Sequence, residues 1–307
     1  MGHHHHHDHH GHHHHGHHHG EINHNRAFAI GVGLNSIYVV IEFLFGLWSH
    51  SLALMADAGH NLGDVLGLLL AWGATVLVKR SPSKRRTYGM RRASILAALL
   101  NAGVLLFAVG AISWEALHRL WNPEPVATTT IMIVASIGIV INTATALLFV
   151  SGRKNDINIQ GAFLHMAADA AVSLGVVLAA ALIYLTSWQW LDPVIGLLIV
   201  AVIAWSTWGL LRESLDLVMD AVPSGIDPDA IREYLKQLDG VVDVHDLHIW
   251  AMSTTEAALT VHLVKSSTQL DDAWLSSVCK VLHDQFGIEH ATIQQEQGDP
   301  NHKCSRC

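Results

Sequence analysis

Apolar residues gather into six long runs, at about 27–48, 52–78, 93–117, 128–150, 160–185 and 193–211. Each run is close to the ~20 residues that a helix needs to cross a hydrocarbon core. The pattern therefore predicts six transmembrane helices. From about Ser214 the texture changes to shorter elements with polar interruptions. Asp227-Pro228-Asp229 reads as an N-cap and first turn, opening a helix to about Leu238 that Gly240 ends. Val241–Ser253 and Glu256–Val264 alternate as strands, Leu270–Phe286 has helical periodicity, Gly287 stops it, and Ile288–Gln294 is a third strand. The order αββαβ predicts a small open sheet with two helices on one face. Four segments follow: a histidine-rich stretch over 1–25, a membrane domain over 26–212, a soluble domain over 213–297 and a cysteine-containing tail over 298–307.

The polar residues inside the apolar runs carry the chemistry. The second run contains His60 and Asp64, and the fifth contains His165 and Asp169. Four residues advance a helix by about 6 Å and return to nearly the same azimuth, so each pair shares one face. Ionisable groups in hydrocarbon are costly and mark function. Two such faces brought together offer two imidazole nitrogens and two carboxylates, a tetrahedral set suited to zinc. Asp57 lies on nearly the same face as Asp64 but ~10 Å away along the axis, so it is assigned to the approach path, a supporting contact or helix packing. Glu42 is expected at the membrane boundary or hydrogen-bonded within the bundle. Asn101 and Asn142 are expected to bond between helices.

Composition supports the membrane reading: of 307 residues, 50% are hydrophobic and only 14% are charged, against roughly 25% charged in soluble domains. Seven basic residues between Lys79 and Arg92, with Arg153 and Lys154 after the fourth run, place those loops in the cytosol by the positive-inside rule. Six spans then put both termini in the cytosol. The net charge of −8 is concentrated from Arg212 onward, where 16 acidic residues face 7 basic ones. That end attracts cations rather than nucleic acid. Three cysteines, Cys279, Cys304 and Cys307, make no disulfide framework and suit a reducing compartment. No cleavable signal peptide is visible. Residues 1–20 hold 14 histidines broken by Asp8 and glycines, which predicts a disordered native segment able to collect divalent transition metals.

In the soluble part, His245 and His248 are three apart on a predicted strand, which places them on opposite faces and separates them as ligands. His262 and Glu296, from neighbouring strands, can join His245. His290 is a strand histidine of the same kind as His262, and Cys304 and Cys307 form a CxxC behind His302 that suits thiolate coordination.

The chain resembles the cation diffusion facilitator family, particularly bacterial zinc exporters and their zinc-transporter relatives in animals. The resemblance covers about 26–297 and rests on Leu52-Ala53-Leu54-Met55-Ala56-Asp57-Ala58-Gly59-His60, the two His-to-Asp pairs, Val244-His245-Asp246-Leu247-His248-Ile249-Trp250 and Ile288-Glu289-His290-Ala291-Thr292-Ile293-Gln294. It implies that His60, Asp64, His165 and Asp169 form the transported-ion site. It also implies a homodimer, a ferredoxin-like cytosolic domain binding regulatory zinc through His245, His262 and Glu296, and exchange of metal for protons. A terminal CxxC occurs in some relatives, matched by Cys304 and Cys307. The histidine that partners it in animal relatives is replaced by Glu289, with His290 adjacent. Histidine, rather than aspartate, at the head of both membrane pairs favours zinc in this family.

Taken together, the expectation is a zinc efflux transporter of a bacterial inner membrane, exchanging cytosolic zinc for protons by alternating access, and not an enzyme. The rivals are an exporter of cadmium, cobalt or nickel, whose ligand preferences overlap, and a membrane-bound metal sensor or buffer that binds without flux.

Overall fold

The computed structural model describes residues 24–78, 81–150, 157–266 and 271–297. Six long helices come first: α1 His24–Trp48, α2 Leu52–Val78, α3 Ala93–Trp121, α4 Thr128–Phe149, α5 Ile157–Thr186 and α6 Leu191–Val218. Five of these, α2 to α6, are long and apolar enough to cross a membrane, and the Gly33–Trp48 part of α1 is apolar but shorter. Their outward surface is the reverse of a soluble protein's. Phe107, Leu185 and Trp205 are 79%, 79% and 86% exposed, while Glu42, Asp57 and Asn61 are wholly buried. Only a hydrocarbon surround makes that distribution stable.

Two helices outrun the apolar patches that mark them, α3 reaching Trp121 and α6 reaching Val218. Helical hydrogen bonding continues there through polar turns, such as the one holding Arg212, Glu213 and Asp216. Helix α2 is the hub, touching α1, α3, α5 and α6. Its start is fixed from within the bundle: the Ser51 hydroxyl accepts from Leu54 N at 3.1 Å, and the Asp192 carboxylate of α6 accepts from Leu52 N at 2.7 Å. Two oxygens thus satisfy amides that the first helical turn leaves without partners. Gly196 permits this approach, since a Cβ there would lie 3.2 Å from the Leu52 backbone.

The interhelical bonds expected of Asn101 Oδ1 and of the Asn142 amide are not found among the described residues. Asn101 Oδ1 and both amide atoms of Asn142 have no hydrogen-bond partner. Asn101 packs against Gly67, which offers no side chain to meet it.

The soluble domain has the order α7 Pro228–Lys236, β1 Val241–Ala251, β2 Ala257–Lys265, α8 Asp272–Phe286 and β3 Ile288–Glu296. This is the expected ferredoxin-like αββαβ arrangement, with strand order β1-β2-β3, β1 antiparallel and β3 parallel to β2. Asp227 and Asp271 cap the two helices by accepting from the amides two and three residues on. Gly287 takes the left-handed conformation that ends α8. Ile231 and Leu235 of α7, Val278 and Leu282 of α8, and Leu259, Val261 and Leu263 of β2 form the core. Both helices therefore cover one face of the sheet, leaving the other to polar residues. The loop before α3 is tied to this domain: Arg91 meets Glu256 at 2.8 Å, Arg92 meets Asp220, and Ser94 Oγ accepts from Thr254 N.

Candidate metal centres

Within the bundle, α2 and α5 bring the two predicted pairs together. His60 Nε2 lies 3.8 Å from Asp64 Oδ2 and 3.7 Å from Asp169 Oδ1. His165 Nε2 lies 3.3 Å from Asp64 Oδ2 and 3.6 Å from Asp169 Oδ2. Each imidazole thus faces one carboxylate on its own helix and one across the interface. Ligand atoms about 2.0–2.1 Å from a tetrahedral zinc lie roughly 3.4 Å from one another, so these separations fit a single ion. His60, His165 and Asp169 each offer an atom within 4.8 Å of the other two, and Asp64 completes the ring by reaching both imidazoles. Asp64 Oδ2 and Asp169 Oδ2 accept no hydrogen bond, and buried acceptors left so need a cation or a donor.

Exposure is graded along the site. The Asp169 side chain is 1% exposed, whereas Asp64 and His165 are 33% and 39% exposed. Asp64 lies nearer than His60 to the basic loop that follows α2, and His165 nearer than Asp169 to the start of α5. On α5 the more exposed residue is thus the one nearer that loop, whereas on α2 His60 and Asp64 differ little, at 29% and 33%.

Asp57 stays outside this ring. It is fully buried and accepts from Ser173 Oγ at 3.0 Å. Glu42 is held within the bundle, accepting from Tyr38 Oη at 2.7 Å and from Asn61 Nδ2 at 3.4 Å. Ser173 was not singled out from the sequence, yet it continues the i,i+4 series of His165 and Asp169 on α5.

On the open face of the sheet, β-register assembles the second centre. His245 pairs with His262, and Glu296 pairs with Val264, two residues further along β2. His245 Nε2 is 3.2 Å from Glu296 Oε2, and His262 Nδ1 is 3.0 Å from Glu296 Oε1. Burial works against the Glu296 charge, but the hydrogen bond from Gln294 and the two imidazoles outweigh it and hold the carboxyl below its ordinary range.

The expectation for His248 is overturned. A register shift between His245 and His248 inserts one extra residue, so that His248 opposes Thr260, two residues from His262. Both histidines therefore stand on the same face. Asp246, at φ 52°, bends toward them, with Oδ1 2.9 Å from His248 Nε2 and Oδ2 3.5 Å from His262 Nε2. Asp246 was missed from the sequence. Its signal was an aspartate, a residue that tolerates positive φ, inside an otherwise regular strand. His290 is exposed, edges the Tyr88 ring and lies six residues from Glu296 along β3, about 20 Å away. Cys304 and Cys307 lie outside the described residues.

Paired imidazoles and carboxylates at the middle of a helical bundle, coupled to a soluble domain with a second such set, define a membrane transporter of metal cations. Known proteins agree. The cation efflux transmembrane domain profile matches residues 28–219, and the cation efflux protein cytoplasmic domain profile matches residues 223–298. The chain belongs to the cation efflux family, whose members are transporters and not enzymes. It is 36% identical over 273 residues to the cation efflux system protein CzcD of Alcaligenes sp. (strain CT14), covering 88% of this chain and 86% of that one. It is 35% identical over 269 residues to the cadmium, cobalt and zinc/H(+)-K(+) antiporter of Bacillus subtilis (strain 168), covering 86% of each. The zinc transporter ZitB of Escherichia coli (strain K12) is 33% identical over 278 residues, covering 90% and 88%.

Proposed function

We propose that this protein exports zinc from the cytosol in exchange for protons, by alternating access through His60, Asp64, His165 and Asp169. The observation that carries this reading is the alternation of imidazole and carboxylate at 3.3–3.8 Å across the α2–α5 interface. Two neutral imidazoles and two carboxylates balance a divalent charge and suit zinc better than harder cations. Imidazole must be neutral to bind metal, so protons compete for the same atoms. An acidic exterior thus favours release, and a neutral cytosol favours loading.

The exposed His165 beside the buried Asp169 is read as a site open toward the cytosol under the topology set by the basic loops. In that arrangement both termini are cytosolic, and the membrane is the bacterial inner membrane. The domain limits follow the sequence reading: 1–25, 26–212, 213–297 and 298–307. The soluble domain binds regulatory zinc through His245, His262 and Glu296, and zinc draws the two domains of a homodimer together by neutralising their acidic charge. The same reading gives Cys304, Cys307 and His290 to a second cytosolic site, in which His290 edges the Tyr88 ring.

The name of the Bacillus subtilis relative motivates a second reading, in which cadmium and cobalt are also cargo. Metal-by-metal flux into proteoliposomes, with and without a pH gradient, separates these cases for wild type beside Asp64→Ala. Zinc flux that follows the gradient and disappears in Asp64→Ala supports the proposal. Binding without flux would point to a sensor or buffer instead.

A further inference from the structure

One turn from the four metal-site residues, on the side away from the basic loop, lies a second pair of carboxylates that the transport site leaves unused. Glu42 of α1 and Asp57 of α2 are both 0% exposed, and Asn61, one turn beyond Asp57 on the same face of α2, donates to Glu42 across the α1–α2 interface. Their outer oxygens are already anchored: Tyr38 and Asn61 donate to Glu42, and Ser173 donates to Asp57. Asp57 Oδ1 is enclosed and has no donor. Among the described residues no Lys, Arg or His lies within ion-pair distance of either carboxylate. Two fully buried carboxylates on adjoining helices, without a basic partner among the described residues, need a cation to neutralise their charge. The enclosure leaves that role to the smallest one.

We propose that Glu42 and Asp57 are a proton-carrying pair that exchanges one proton per transport cycle. In the occupied pair the proton is bonded to one carboxylate oxygen and hydrogen-bonded to the other. In the empty pair that O–H bond has broken and the proton has passed to water. This rests on the antiport reading above and adds a carrier distinct from the metal-binding imidazoles.

The coupling is electrostatic and mechanical. Asp57 is within electrostatic range of Asp169 and His60. A divalent ion arriving there repels the proton, and its departure restores the negative field that recaptures one. The Ser173–Asp57 bond also ties the pair to α5, one turn beyond Asp169. The groups facing the pair are Tyr38 from α1, Asn61 and His60 from α2, Ser173 and Asp169 from α5, and the Val134 carbonyl of α4 behind Tyr38.

Glu42→Gln mimics the occupied pair permanently: its Oε1 still accepts from Tyr38, and its Nε2 supplies N–H donors in place of the proton, one of them met by the Asn61 amide turning its unpartnered Oδ1 inward. The full-length protein is titrated with zinc in buffers of different ionisation enthalpy, and gradient-driven flux is measured in proteoliposomes. The expected result is zinc bound with affinity within a few fold of wild type, about one fewer proton released per zinc, and gradient-driven flux lowered by about tenfold. Glu42→Asp should restore part of the proton release. Wild-type proton release in Glu42→Gln would overturn the inference while leaving the antiport reading standing. Zinc flux in the wild type without any opposing proton movement would overturn both. Should Glu42→Gln fail to bind zinc, Asp57→Asn is judged by the same proton count, with an unchanged count again overturning the inference.

Discussion

The two metal centres use the same ligand types, imidazole and carboxylate, and assemble them by opposite means. In the membrane each His–Asp pair is local, four residues apart on one helix, and only the approach of α2 to α5 is long-range. In the soluble domain every ligand but the Asp246–His248 contact comes from a different strand, and the ladder fixes their spacing. A helix interface can slide or tilt as a unit without breaking its own hydrogen bonds, whereas strands cannot move apart without losing the sheet. The first arrangement can open and close around an ion, and the second can only hold one. That difference supports the proposed division of labour, with transport at the membrane centre and regulation at the cytosolic one.

The harshest way to break the comparison is to remove a ligand from the movable site. Asp64 touches both imidazoles across the interface, so Asp64→Ala should lower zinc flux on the order of a hundredfold or more. Zinc at the proposed His245, His262 and Glu296 site should remain, as a count of bound zinc per chain will show. Asp57→Asn should spare zinc binding, since Asp57 lies outside the ring. Loss of bound zinc in that variant would place Asp57 among the ligands.

The reciprocal change is Glu296→Gln, which removes the carboxylate shared by His245 and His262. One fewer zinc should bind per chain, while flux at saturating zinc should stay within about threefold, the scale of a regulatory coupling. An abolished flux would show that the cytosolic ion is obligatory for the cycle rather than a modulator of it.

What the sequence revealed follows from the same contrast. The six apolar runs, the αββαβ order and the two i,i+4 pairs all depend on spacing within one element, and each is present in the structure. The partnership of His245, His262 and Glu296 needed strand register, which periodicity alone does not supply, and the family resemblance brought it within reach. His248 was misplaced because simple alternation has no place for an extra residue. Asn142 defeated expectation for a further reason: burial of an amide implies a partner only on average, and neither of its amide atoms has one among the described residues.

Asp246 tests whether the bulge, rather than the strands alone, shapes the cytosolic centre. Its backbone sits at φ 52°, a conformation costing a β-branched residue roughly 1–2 kcal/mol. Asp246→Val should therefore lower the stability of the domain by about that amount and weaken zinc binding as well. Asp246→Gly should relieve the backbone while still losing the carboxylate, so that stability is kept and zinc affinity alone falls. Chemical denaturation with and without zinc distinguishes the two variants. Equal stability losses in both would mean that the carboxylate contacts with His248 and His262, not the turn, hold this stretch.

The smallest effect lies at the far end of the same domain, in a histidine that joins neither centre. His283, in the last turn of α8, faces Asp284 at 2.8 Å and Glu289 at 3.3 Å. The hydrogen bond to Asp284 is the main cause that raises its affinity for a proton, and the Glu289 charge adds to it. The C-terminal end of the helix favours the cation as well. A group whose folded pKa lies above its unfolded value near 6.5 stabilises the fold fully below that value and stops doing so as pH rises through the raised one. The wild-type melting temperature should therefore fall slightly over that window relative to His283→Gln. The side chain is half exposed, so the difference should be a degree or less, the scale of exposed pairs. A difference that grows with rising pH instead of shrinking would show that the charged imidazole is unfavourable at this position.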